Sequence, residues 1–241
     1  MIIKHLYILV DYFNVQQTYR QRGLEYTIRK IFDELWIVAS LPFHRATLRL
    51  YGGWYEDGQL TRIAQDLLAE IESLPSTYDP PTSVSDFQGV VIFRAELAQS
   101  LLAAPSSKLL NTLRTRTAPQ GVRISEKFLD CATNKDSCPL AGALHLHRKR
   151  KCPNQQCENK LSDLLYRTEQ KMVDSMICAD SAFLLKDDQT PLLIVSSDED
   201  MAPIIKLGLS WPADVIHIDC ARRLSNAREA YLEKSYTNLR I

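Results

Sequence analysis

The sequence predicts an α/β protein with a mostly parallel central sheet, on three observations. Short, continuously apolar runs such as 6–10 and 192–195 read as strands buried on both faces. Longer stretches with apolar residues at helical spacing lie between such runs. The two kinds alternate along the chain, which implies helices on both faces of one sheet.

The elements follow in order. The strand 6–10 ends at Asp11, and a helix is expected over 15–39, where Leu24, Ile28, Ile31, Phe32, Leu35 and Val38 recur at helical spacing until Pro42 closes the segment. A second strand over 46–51 turns at Gly52 and Gly53, and a second helix over 59–74 carries Leu60, Ile63, Leu67, Leu68 and Ile71 on one side. The Pro- and Ser-rich stretch 75–85 reads as a loop, 89–93 as a strand, 97–113 as helical in part and 121–124 as a further strand. Between Cys131 and Cys157 neither period is visible, so this stretch reads as a small inserted subdomain. A helix over 162–185, a strand over 192–195, a short helix over 201–208, a strand over 215–218 and a helix over 221–232 complete the chain.

Composition narrows the class. With 241 residues, 45% of them hydrophobic and 24% charged, the chain can bury one large domain carrying an insertion. Only 8 Gly and 11 Pro exclude collagen-like and disordered compositions. The apolar N-terminal run is cut by Lys4, His5 and Asp11, and no stretch has the length and apolarity of a membrane span, so neither a signal peptide nor a membrane partner is expected. A cytoplasmic location with reduced cysteines is the corresponding expectation. No Walker A loop, His-Glu-x-x-His or Gly-x-Ser-x-Gly occurs, which argues against P-loop, zincin and α/β-hydrolase chemistry.

A net charge of zero conceals an asymmetry. Residues 105–151 hold ten basic against three acidic side chains, while 165–200 hold eight carboxylates against Arg167, Lys171 and Lys186. One segment suits phosphates and the other suits cations.

Two apolar strands deliver acids at their carboxyl ends: Asp11 after 6–10, and Asp198 and Asp200 after 192–195. In open α/β sheets that is where ligands bind. Asp174, within the preceding helical pattern, is a third candidate, with Asp180 further along it. Several clustered carboxylates call for a divalent cation, and all-oxygen ligands suit Mg²⁺ or Mn²⁺. The plainer reading is that Asp11 and Asp198 cap the helices that follow them. Asp174 needs no such role inside a helix.

These residues carry a resemblance. Ile8-Leu9-Val10-Asp11-Tyr12-Phe13-Asn14 resembles the opening Asp-x-x-Asn motif of the NYN family of PIN-like nucleases. Lys171-Met172-Val173-Asp174 is similar to its Lys-Gly-Val-Asp motif, and Ser197-Asp198-Glu199-Asp200 to its Ser-Gly-Asp-x-Asp motif, in matching order. The likeness covers about residues 1–75 and 160–241, with Met172 and Ser197 standing where the family has glycines. It implies a single PIN-like NYN domain over 1–241, a three-layer α/β/α fold that cleaves RNA, with DNA as a second substrate. By position, Asp11, Asp174 and Asp198 would hold catalytic Mg²⁺ or Mn²⁺, with Asp200 as an additional acid and Asn14 as a polar positioner of metal or substrate.

Cys131, Cys138, Cys152 and Cys157 supply four thiols within 27 residues, enough for one structural Zn²⁺ in the insertion 131–157. Their spacings only permit this, and reduced loop cysteines are the alternative. His145 and His147 could substitute as ligands on one side of an extended segment, and Cys178 and Cys220 read as buried. Arg148, Lys149, Arg150 and Lys151 lie between the cysteine pairs, either as a solvated surface or as a nucleic-acid-binding arm beside the active-site crevice.

The expected function is therefore a metal-dependent nuclease, an endoribonuclease acting on single-stranded or structured RNA. A non-catalytic nucleic-acid-binding or regulatory adaptor with the same fold is the alternative, and a phosphatase-like enzyme for small substrates a third.

Overall fold

The computed structural model describes residues 4–38, 43–79, 90–117, 140–152, 154, 156–186, 190–211, 215–220 and 238–240. The chain divides into two compact units, 1–112 with 170–241, and 113–169.

The first unit is α/β with a mostly parallel sheet. In chain order it comprises β1 (Lys4–Asp11), α1 (Gln17–Arg20), α2 (Leu24–Val38), β2 (Phe43–Tyr51), β3 (Tyr55–Glu56), β4 (Gln59–Leu60), α3 (Arg62–Ser73), β5 (Thr77–Tyr78), β6 (Val91–Leu97), β7 (Ser100–Leu101) and β8 (Ala104–Lys108). The chain then passes through the second unit, with β9 (Leu113–Thr117), α4 (Leu140–Lys149), α5 (Leu161–Leu164) and β10 (Tyr166–Gln170), whose last residue re-enters the first. It continues with α6 (Val173–Leu184), β11 (Leu192–Val195), a 3₁₀ turn at Glu199–Met201, α7 (Ala202–Leu209), β12 (Val215–Asp219) and β13 (Asn238–Arg240).

The main sheet has the order β13-β12-β11-β1-β2-β6-β5, and only the edge pair β5–β6 is antiparallel. From β1 the chain builds outward through β2 and β6, then returns to the other side of β1 with β11. The direction of winding thus reverses between β1 and β11, where Val10 lies beside Val195. A crevice opens at such a reversal because the connections leave the two strands toward opposite sides.

Alternation along β1 divides the core. Leu6, Ile8 and Val10 join a cluster with Leu24, Ile28, Ile31 and Leu35 of α2 and Ala64 and Leu67 of α3. Leu9 joins a second cluster with Val173, Met176 and Ile177 of α6 and Ile204 and Ile205 of α7. Each such side chain, fully removed from water, contributes roughly 1.5–3 kcal/mol before entropy is counted.

Several elements differ from expectation. The helix expected over 15–39 is interrupted at Gly23, whose φ of +94° lies in the left-handed region. Glu70 of α3 then accepts the Leu24 N–H at 2.6 Å, satisfying an orphan donor at the start of α2. Residues 59–60 form β4 rather than helix, because Thr61 is the N-cap of α3 and its side chain accepts from the Ala64 N–H. Residues 77–78 of the expected loop form the antiparallel edge strand, and the strand expected at 89–93 runs over Val91–Leu97. The expected partial helix in 97–113 is replaced by the β7–β8 pair, since Ala98 N–H donates to the Leu50 carbonyl and Leu102 N–H to the Asp180 carboxylate instead of to carbonyls four residues back. The continuous helix expected over 162–185 is three elements: α5, β10 and α6. Lys171 N–H donates to the Thr112 carbonyl at 2.9 Å, and Met172 turns into the left-handed region at φ +66° immediately before α6.

Within the second unit, β9 and β10 form a two-stranded ribbon. Residues 140–149 are helical, not aperiodic, so His145 and His147 are two residues apart on a helix and do not share one side. After α4, Arg150 takes a φ of +60° and the chain forms a narrow hairpin. Lys151 bridges Lys160, Cys152 N–H donates to the Asn159 carbonyl, and Leu161 N–H donates to the Arg150 carbonyl. Among the described residues no helix is long and apolar enough to cross a membrane. The strand expected at 121–124 and the helix expected at 221–232 lie outside the described residues.

Candidate metal centre

Strand β1 ends by placing Asp11 at the reversal of winding, and β11 ends one residue before Ser196. Ser196 Oγ accepts the Asp198 N–H at 3.1 Å, which turns the chain so that Asp198 follows the strand directly. Asp174 arrives from a third direction, in the first turn of α6, where the positive end of the helix dipole favours a carboxylate. Asp11, Phe13, Asn14, Gln170, Asp174 and Asp198 line a cleft of about 280 Å³. One carboxylate oxygen from each of Asp174, Asp198 and Asp200 lies within 4.8 Å of the others.

Asp11 is the buried member of the set, 2% exposed. Burial pushes its carboxyl up to about 6; the hydrogen bond from Asn14 opposes this, and the charges of Asp174 and, more weakly, Asp198 add to it. Asn14 Nδ2 donates to Asp11 Oδ2 through a short contact, and Asn14 N–H donates to the Asp11 carbonyl at 3.1 Å. Asp174 is raised too, by burial first and then by Asp198 and Asp200. Among the described residues no Lys or Arg pairs with Asp11, Asp174, Asp198 or Asp200. The negative charge of this cleft therefore lacks a protein counter-ion among them.

The capping reading divides between the acids. Asp198 does cap, its Oδ1 accepting the Asp200 N–H at 3.0 Å at the start of the 3₁₀ turn. That leaves its second oxygen for another partner. Asp11 caps no helix, because Gln16 is the N-cap of α1 and the Asp11 side chain is held by Asn14.

Asp180 does not join the cluster. It is fully buried and holds elements together: Tyr51 Oη donates to its Oδ2 at 2.6 Å, Leu102 N–H donates to Oδ1 at 2.7 Å, and the Arg49 guanidinium stands 3.4 Å away. Two cleft residues were not singled out as site residues on sequence grounds. Gln170 ends β10, a strand of polar residues with no apolar alternation to reveal it. Phe13, between Asp11 and Asn14 in sequence, packs in part against the core and also forms a wall of the cleft.

The remaining candidates lie elsewhere. Cys220 is buried and its thiol pushed up by that burial, with Asp219 and Asp11 adding, while Cys178 is half-buried and raised by burial and then by Asp174 and Asp200. Burial thus disfavours the thiolate of both. Cys152 and Cys157 are free and half-buried in the hairpin of the second unit, where Cys157 N–H donates to the Asn154 carbonyl. Cys131 and Cys138 lie outside the described residues. Arg148 and Lys149 end α4, and Arg150 and Lys151 begin the hairpin; all four are exposed.

Comparison with protein-family models, with curated proteins and with solved structures finds no match to this chain, so a functional reading rests on the geometry of the cleft and on the motifs that build it.

Proposed function

We propose that this chain is a metal-dependent nuclease, an endoribonuclease that hydrolyses phosphodiester bonds of RNA at the cleft between β1 and β11, on a three-layer PIN-like domain of the NYN kind. The observation that carries this reading is the convergence of Asp11, Asp174 and Asp198, from three separate parts of the sequence, on one cleft with no basic partner among the described residues. The donor set fits a hard divalent cation. All the donors are carboxylate oxygens, and a mutual distance within 4.8 Å is close to what six-coordinate Mg²⁺ spans with ligands about 2.1 Å away.

Asp174 and Asp198 would hold the ion, with Asp11 and Asp200 at its margins. When bound, Mg²⁺ or Mn²⁺ supplies charge neutralisation at the phosphate and a more acidic water. The chain's own groups do the rest. Asn14 fixes the Asp11 carboxylate by donating to it and, being unable to ionise, adds no repulsion toward a phosphate. Asp11, poised near neutrality by burial, can take a proton from water at the cleft. Phe13 and Gln170 supply an apolar wall and an amide on which a nucleotide can rest.

In the second unit, Cys131, Cys138, Cys152 and Cys157 would hold an architectural Zn²⁺, and the exposed run Arg148–Lys151 would meet phosphates. Metal analysis of the purified protein should find one zinc per chain, released by thiol modification.

The test is incubation with end-labelled single-stranded RNA and the matching DNA in Mg²⁺, Mn²⁺ or EDTA, beside Asp198→Asn. Cleavage of RNA that needs the metal and is lost in the variant is expected. Silence in every lane with binding retained would replace the nuclease by a non-catalytic adaptor.

A further inference from the structure

We infer that the β9–β10 ribbon of the second unit is a nucleic-acid grip, taking the phosphate backbone of a single strand on a face formed by Arg114, Arg116 and Arg167. The inference deepens the nuclease reading and rests on it for the class of partner.

The face is defined by contacts. Arg116 Nε lies 2.9 Å from Glu169 Oε2, and Arg167 Nη2 lies 3.3 Å from Glu169 Oε1. Side chains two apart share one side of a strand, so Arg114 stands on this face with Arg116. Thr115, Thr117, Tyr166 and Thr168 occupy the other face and are exposed as well.

The two strands carry three guanidiniums and one carboxylate, an excess of two positive charges on a short ribbon, and only Arg116 and Arg167 meet Glu169. The Arg116 and Arg167 side chains are 48% and 61% exposed, so their pairing with Glu169 contributes little to stability. Glu169 instead orients them, and most of the five N–H donors of each guanidinium remain for another acceptor. Along β9 the two arginines recur about every 7 Å. A ligand with regularly repeated charges meets such a row better than a single small anion does, and the guanidinium fork matches phosphate oxygens bidentately.

The whole unit agrees in sign. Residues 113–169 carry eleven basic and six acidic side chains, a net +5, against −5 for the rest of the chain. Charge complementarity therefore points to a polyanion, and the phosphodiester proposed for the acidic cleft makes it a nucleic acid.

The test uses the full chain carrying Asp174→Asn in EDTA, so that no strand is cut, titrated into labelled oligouridylate and its DNA counterpart from about 50 to 200 mM salt. Replacing all three arginines by Gln should flatten the slope of log K against log salt by about two, from three contacts worth about 0.7 each. Replacing them by Lys should keep the slope. Glu169→Gln should tighten binding several-fold, which loss of a merely structural ion pair would not do, and Thr117→Ala on the opposite face should change nothing. An unchanged slope in a triple Gln variant of native circular dichroism overturns the inference. If that variant does not fold, failure of Glu169→Gln to tighten binding overturns it. An equal effect on labelled polyglutamate would replace the nucleic acid by an acidic peptide. A chain that shows the slope change yet never cleaves keeps the grip and loses the nuclease; one that cleaves with an unchanged slope does the reverse.

Discussion

Asp11 sits where an ionised carboxylate is costly. Raising its pKa from 3.8 to about 6 corresponds to about 3 kcal/mol of bias against the charged form. The folded state therefore holds a proton that the unfolded state has lost between those two values, and stability falls as pH rises through that window. Asp11→Asn should abolish cleavage yet, in EDTA, raise stability at pH 8 by about 1–3 kcal/mol and remove that part of the pH slope. Urea unfolding at pH 4 and pH 8 measures both effects, and a destabilised variant at pH 8 would show that the charge is not the liability described. By the same sign, Mn²⁺ should raise Tm more at pH 7.5 than at pH 5, read by thermal melts with and without the metal. Met172 carries strain of another kind. At φ +66° it does what a glycine does without steric cost, and its sequence neighbours resemble a motif with glycine at that place. Met172→Gly should stabilise the chain by about 0.5–1 kcal/mol without changing the cleft acids, as chemical denaturation would show.

Among the elements, the strands were the most legible. Runs such as Leu192–Val195 are wholly buried, so their composition needs no alternation to be read. Asp11 and Asp198 were legible for the same reason, since each follows such a run. The helices were less so, because what breaks them is tertiary: the Glu70 carboxylate at the start of α2, and the Thr112 carbonyl that takes the Lys171 N–H. The hairpin β7–β8 was hidden because its anchor, Asp180, lies far away in sequence. Asp180 ties β2, the β7–β8 hairpin and α6 together through Tyr51, Leu102 and Arg49, and Arg49 also pairs with Glu96 and donates to the Ser100 carbonyl at 2.7 Å. Asp180→Ala would leave Arg49, 5% exposed, with Glu96 as its remaining counter-charge, and the Tyr51 hydroxyl and Leu102 N–H without their acceptor. It should cost about 2–5 kcal/mol in equilibrium unfolding, most of it from the two donors left unsatisfied. Asp180→Asn, which keeps one acceptor for the Leu102 N–H and sets its amide NH2 against the Tyr51 hydroxyl, should cost less. Equal costs would mean that the charge and not the hydrogen bonds holds these elements.

For the molecule as a whole, alternation of strands and helices made the parallel sheet legible, while composition could say only that one segment is basic and another acidic. Where the second unit begins and ends was not legible, because its polar ribbon strands have no apolar period. The structure marks that boundary chemically. Thr112 is buried, its Oγ1 accepts the N–H groups of Trp54 and Tyr55 at 2.8 and 3.0 Å, and its carbonyl accepts the Lys171 N–H. The points where the chain leaves and re-enters the first unit are thus joined by one hydrogen bond and anchored independently of the 57 residues between them. Such an arrangement is a splice site. A gene lacking codons 113–169, with a short Gly-Ser bridge in their place, should yield a chain that unfolds cooperatively and still gains Tm from Mn²⁺, since closing so short a gap costs little entropy. The same locus should accept a foreign domain whose own termini lie close together, so that the inserted unit can be exchanged by recombination while the acidic cleft is left as it stands.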